Sequence, residues 1–382
     1  MHHLTVFLIN VMIVRLIGAA NSGIYYNQLY LLNFTAIFFS LGLDYSAIAW
    51  LSSNTQLQNT IHNILLRVAL FFSVFAALIF LVVIPMMNLE TEQSGWGMFF
   101  FFTGNLLLIL FQGMLSALKK FNTQNTLLIV TNVFFIFFLL VYSRFETIDV
   151  VKVSIFYGSL FLTQGLLMLF VSYRKDSKMP ALNLSAFYAH GIKIMLSSLI
   201  YFCFLRVDNF FVERYCPPDV LGSYVQCGKI GQYFLYFSSV ISSTMLPFIV
   251  ESKIAVTYAD WKKIMKPYFF LLFGGTILIA ILGPLLYPVI FGPEFGKMQQ
   301  LMLIFLPGYL SLGLLTLTNA IYLAKGNIGR IFRGDLLGLV LILFFELLFV
   351  PKYGVIASAI ISSSCYIIVF IYLYIAVKKQ FQ

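Results

Sequence analysis

Long apolar runs, separated by short polar or turn-forming stretches, follow one another along the whole chain. They fall at about 4–17, 24–51, 61–84, 97–117, 124–142, 152–172, 190–212, 219–248, 266–291, 299–323, 331–350 and 354–377. Most are 18 or more residues long and none alternates with polar positions. A helix needs about 20 apolar residues to cross a bilayer, whereas a barrel strand alternates over about ten. The pattern therefore predicts about twelve transmembrane helices. The first run is short, but no basic stretch precedes it and no small-residue cleavage site follows it, so no signal peptide is expected.

The runs divide six and six around a polar, basic stretch at 172–180. This predicts an N-terminal six-helix lobe at 1–173, a cytoplasmic linker at 174–189 and a C-terminal six-helix lobe at 190–382. Two short marks recur in both halves. Gly23-Ile-Tyr25 opens the second run and Gly222-Ser-Tyr224 the eighth, while Lys120-Phe-Asn122 and Lys325-Gly-Asn327 leave the fourth and tenth. Equal order and nearly equal offsets suggest parallel repeats, as in transporters built from two related halves. Placing both termini in the cytoplasm puts 16 of the 24 Lys and Arg on the inner side, seven on the outer side and Lys229 within the membrane. Positive residues favour the cytoplasmic side, which sets the expected orientation.

Composition narrows the class further. Hydrophobic residues make up 61% and charged residues 10%, against roughly half and a quarter in soluble domains. The net charge of +10 is scattered among apolar helices; topology accounts for it, and no nucleic-acid partner is expected. Cys203, Cys216, Cys227 and Cys365 form no paired motif, and His2, His3, His62 and His190 are unclustered. Ordinary packing is the expectation for the cysteines, with no metal site and no cofactor. There is no GxxxxGK[ST], HExxH or GxSxG motif, so no enzyme constellation is legible.

Charges inside the apolar runs carry the chemistry. An ionisable group at membrane depth costs several kcal/mol and usually faces a wet cavity or a protein interior. Arg15 closes the first run, Asp44 lies in the second, Arg206 and Asp208 in the seventh, Lys229 in the eighth and Glu346 near the outer end of the eleventh. Arg15 and Glu346 are close enough to an interface for their side chains to reach it. Arg206 and Asp208, two residues apart, point to different faces and form no helix-surface ion pair. Arg15, Arg206 and Lys229 suit an anionic substrate: Arg can grip a diphosphate with two parallel hydrogen bonds and Lys adds a point charge. Asp208 and Asp44 are candidates for binding a coupling cation, and Asp208 could equally neutralise Arg206 or Lys229. Tyr25, Tyr26, Tyr30, Tyr224, Tyr233 and Tyr236 could stack on sugars, although packing is the ordinary fate of such rings.

At these residues the chain resembles a known family. Val14-Arg-Leu-Ile-Gly-Ala-Ala-Asn-Ser-Gly-Ile-Tyr25 resembles the R-x-[LI]-G…G-x-Y opening of polysaccharide flippases. Leu205-Arg-Val-Asp208 with Pro218-Asp-Val-Leu-Gly-Ser-Tyr224 resembles their helix 7 to helix 8 junction. These proteins belong to the multidrug/oligosaccharidyl-lipid/polysaccharide exporter superfamily. The resemblance implies a V-shaped, two-lobed transporter of the bacterial inner membrane that moves undecaprenyl-diphosphate-linked oligosaccharides outward by alternating access. Arg15, Arg206 and Asp208 match its charged positions. The implied partners are an anionic lipid-linked oligosaccharide and membrane lipids, with a monomer working alongside a polysaccharide polymerase and glycosyltransferases. Family members carry a longer basic stretch before helix 1, from which this sequence departs. Two alternatives stay open: a cation-coupled multidrug exporter, and a membrane glycan polymerase or ligase, which would carry a larger outer loop.

Overall fold

The computed structural model describes residues 2–86, 94–173, 181–251, 258–324 and 327–377. Residues 174–180 of the predicted linker, Lys253, the Lys325 end of one repeat mark, and the C-terminal Lys378 and Lys379 lie outside these residues. Every regular element among them is a helix: α1 His2–Phe39, α2 Leu43–Ser53, α3 Gln58–Leu78, α4 Ile84–Met86, α5 Gly95–Ala117, α6 Phe121–Tyr142, α7 Val150–Ser172, α8 Leu184–Tyr215, α9 Pro218–Glu251, α10 Tyr258–Ile290, α11 Met298–Ala324 and α12 Ile328–Val377. A π-helical turn at Ile79–Val83 joins α3 to α4. Among the described residues, nine helices are long and apolar enough to cross a membrane.

Two of these helices each contain one non-helical glycine and so read as two arms. In α1 it is Gly18 (φ 77, ψ 176) and in α12 it is Gly354 (φ 63, ψ −151). Positive φ costs an L-residue roughly 1–2 kcal/mol and glycine almost nothing, so one residue turns the backbone without a loop. In α12 the corner separates two expected runs. The first expected break narrows to Gly18, with 19–23 helical, and the chain also leaves helix at 40–42. There Leu41 and Gly42 have φ of 53° and 63°, and a Cβ on Gly42 would strike the carbonyl of Gly191. The second run is thus divided between the later arm of α1 and α2.

Side chains such as Phe71, Phe134, Leu285 and Ile375 are two-thirds or more exposed. An apolar surface on this scale would drive association in water and suits acyl chains. The backbone polar groups meanwhile pair within helices, as a bilayer demands. The chain is a multi-pass membrane protein.

The chain forms two compact units, one of Met1–Ile17 with Gln28–Leu199 and one of Gly18–Asn27 with Ile200–Gln382. Within the first, α5 and α7 meet through two pairs of glycines spaced seven apart. A Cβ on Gly158 would lie 2.5 Å from the Gly97 carbonyl, and one on Gly165 2.7 Å from that of Gly104. Water gives no hydrophobic drive inside a bilayer, so this close approach supplies dispersion instead. Gln164 adds polar attachment, donating to Asn132 at 2.8 Å and to Thr131 at 2.9 Å. Within the second unit, α11 packs against α9, α10 and α12. Tyr322 donates to the Leu373 carbonyl at 2.7 Å, and Ser363 accepts from the Gly308 amide at 3.0 Å.

Candidate functional site

The later arm of α1 begins at Ala19, and its first amides have no partner within the helix. Glu294, on the stretch between α10 and α11, accepts from the Ala19 amide at 3.0 Å. At the other end of the segment, Asn27 donates to the Glu213 carboxylate at 2.5 Å. Between them the segment crosses α9 at the two glycines that served as repeat marks. A Cβ on Gly23 would lie 2.5 Å from the Gly222 nitrogen, and one on Gly222 would strike the Ala19 carbonyl. The marks therefore face each other, and their missing side chains bring the two backbones together. This contact also carries Tyr26 to Lys229, whose Nζ sits 2.7 Å above the ring centroid. A ring face attracts an ammonium by its quadrupole, more strongly where water is scarce.

Beside this lies a buried polar cluster drawn from α8, α9 and α12. Asp208 Oδ2 accepts from Tyr224 at 2.6 Å and from Ser362 at 2.7 Å. Its Oδ1 accepts from the Asn209 amide at 2.9 Å and from Asn209 Nδ2 at 3.1 Å. The Tyr224 and Ser358 hydroxyls are 2.8 Å apart, and Ser358 Oγ lies 2.8 Å from Glu346 Oε1. The line joins two carboxyl groups from different helices through two hydroxyls, and all four side chains are buried. Arg206, 5% exposed, shares a cavity of about 20 Å³ with Asp208, Asn209, Tyr224 and Gln232, which is room for one water. Gly228 also lines it; a Cβ there would lie 2.8 Å from Arg206 Nη1, so this glycine leaves space for the guanidinium.

Arg206, Asp208 and Lys229 thus fall together within the second unit. Arg15 and Asp44 belong to the first: Arg15 is exposed, and Asp44 is half-buried in the first turn of α2, against Gly113 of α5. The expectation that Glu346 could reach an interface is corrected, since it is fully buried and bound to Ser358. Tyr25 and Tyr224 are also fully buried, which removes them from sugar stacking. Sequence reading missed Ser358 and Ser362. Their spacing of four on one helix, with an acid upstream, was the available signal, but serine in an apolar run is common packing. The four cysteines are free thiols.

No protein-family model matches this chain. A capsular polysaccharide biosynthesis protein, CapF, from Staphylococcus aureus is 30% identical over 159 residues, which is 38% of this chain and 38% of that protein. The chain thus matches well under half the length of this relative. Among solved structures, the lipid II flippase MurJ in its inward closed conformation matches with a TM-score of 0.76 at 15% identity, over 100% of this chain and 87% of that one. An inward-facing multidrug resistance MATE family transporter of the MOP superfamily matches with a TM-score of 0.74 at 12% identity, over 100% and 95%. At these identities the likeness concerns architecture: the chain has the all-helical membrane-transporter fold that the MurJ flippase and MATE transporter structures share.

Proposed function

We propose that the protein is a flippase that carries a polyprenyl-diphosphate-linked oligosaccharide, of the undecaprenyl type, across the bacterial inner membrane by alternating access. It would serve assembly of a surface polysaccharide. The observation that carries this reading is the pair of cations, Arg206 and Lys229, on neighbouring helices of one unit, the first buried and the second half-buried over Tyr26. Cations placed there cost folding energy, and a diphosphate offsets that cost. Arg15 is proposed as a third substrate contact, and Asp208 and Asp44 as cation-coupling residues. Both termini are placed in the cytoplasm, and the protein is read as a non-enzymatic monomer working with a polymerase and glycosyltransferases. The likeness to a flippase structure and to a capsule-biosynthesis protein supports the reading.

The buried Asp208 and Glu346 favour a second reading, a cation-coupled multidrug exporter. The substrate's charge separates the two. Purified protein is expected to bind a polyprenyl-diphosphate sugar more tightly than the uncharged polyprenol analogue, with the difference shrinking in Arg206→Ala and Lys229→Ala. Tight binding of ethidium-like cations with no preference for the diphosphate would overturn the flippase reading.

A further inference from the structure

We infer that the line Asp208–Tyr224–Ser358–Glu346 binds one proton beyond those of its two hydroxyls, and that this proton rests on Glu346. The number of hydrogens the line needs exceeds the number its hydroxyls supply. The three O···O contacts measure 2.6, 2.8 and 2.8 Å, all within the O–H···O range. Each contact needs one hydrogen, and two hydroxyls supply two. With both carboxyls ionised, each hydroxyl turns to its own carboxylate and the Tyr224–Ser358 contact opposes two lone pairs at 2.8 Å. One carboxyl proton completes the line. Glu346 Oε1 then donates to Ser358, Ser358 to Tyr224, and Tyr224 to Asp208.

The surroundings decide which carboxyl holds it. Asp208 receives three further hydrogen bonds, from Ser362 and twice from Asn209, and shares its cavity with Arg206. These contacts favour a negative charge. Glu346 has one partner, its Oε2 has none among the described residues, and it has no exposed surface. A carboxylate so placed would leave a charge unanswered in an apolar setting, whereas a neutral acid leaves only a carbonyl oxygen. Among the described residues, the other titratable groups acting on the line are Tyr309 of α11, Tyr366 and Cys365 of α12, and Cys216 just beyond the end of α8. Arg206 is the cation among the groups acting on it.

The arrangement is also a relay. If Glu346 passes its proton to Ser358 as Ser358 passes its own to Tyr224 and Tyr224 to Asp208, one proton moves from Glu346 to Asp208 with no heavy atom displaced. Asp208 borders the water-sized cavity, so exchange runs through that end while the Glu346 end is closed. The site belongs to the resting protein and does not depend on the diphosphate reading, so either can fail alone.

Infrared spectroscopy of the purified protein at neutral pH, without substrate, tests it. The wild type is expected to show the carbonyl stretch of a protonated carboxyl, shifted in D₂O and unchanged when sodium is replaced by choline. Glu346→Gln, which keeps a neutral donor to Ser358, should lose this band and retain the thermal midpoint. Asp208→Asn should keep the band. Ser358→Ala should move it to higher frequency, and this reads the same proton if Glu346→Gln fails to fold. A Glu346→Gln spectrum with no lost band overturns the inference, as does a band that appears only when sodium is removed, which would assign the line to a metal cation.

Discussion

Substituting Gly222 by Ala perturbs the tightest point of the second unit. A Cβ there would lie 2.8 Å from the Ala19 carbonyl carbon and closer still to its oxygen, while ordinary contact begins at 3.4 Å. Both obstacles are backbone, so no side chain can swing away, and the two helices must part by roughly 1 Å. Overpacking of this kind costs about 1–3 kcal/mol, and each 1.4 kcal/mol is about a tenfold change in an equilibrium. The parting also loosens what the contact holds in place: the Ala19–Glu294 and Asn27–Glu213 hydrogen bonds and the seat of Lys229 on Tyr26. Reversible unfolding of purified protein in mixed micelles measures the loss. Gly23→Ala crowds the same contact, since its Cβ would meet Gly222 at 2.5 Å. The double variant should therefore cost less than the two single variants added, because helices already parted have room for both methyls. Wild-type stability in Gly222→Ala, or strict additivity in the pair, would refute the close-contact account.

Arg206→Ala and Lys229→Ala should each impair transport more than folding, checked by flux in vesicles against the yield of monodisperse protein; equal losses in both would mark structural roles. Asp208→Asn keeps the shape but replaces one acceptor oxygen by a donor facing other donors, so a destabilisation of about 1–3 kcal/mol is expected, read as a lower thermal midpoint. If transport across imposed ion gradients is unchanged in that variant, Asp208 is not a coupling residue. Single cysteines at 172–180 and 252–266 should label only from the cytoplasmic side, and labelling from outside in intact cells would reverse the orientation.

The apolar runs were legible because length and continuity settle membrane helices without any tertiary information. The corners were less so. Gly18 and Gly354 turn the backbone by positive φ, whereas Gly23 and Gly222 serve close approach, and composition does not distinguish the two uses. Gly23-Ile-Tyr25 and Gly222-Ser-Tyr224 stood out as a repeat, yet only the fold reveals that the two glycines touch. Of the candidate residues, Arg206, Asp208 and Lys229 were legible because charge in an apolar run is costly wherever it points. Glu346 was placed correctly along its helix, but its depth from the protein surface depends on what packs around it. Ser358 carries no such cost signal and emerged only from its 2.8 Å neighbours.

The assignment of Gly18–Asn27 to the second unit, with residues on either side of it in the first, means that the chain passes between units three times. The boundary of the sequence repeat and the boundary of packing do not coincide. A gene fragment beginning at residue 190 would therefore encode a unit with an open seam along α9, where Gly222 and Lys229 expect a helix that the fragment lacks. The two halves of such a protein, once joined, could no longer be reshuffled as independent modules, because one carries ten residues that complete the other.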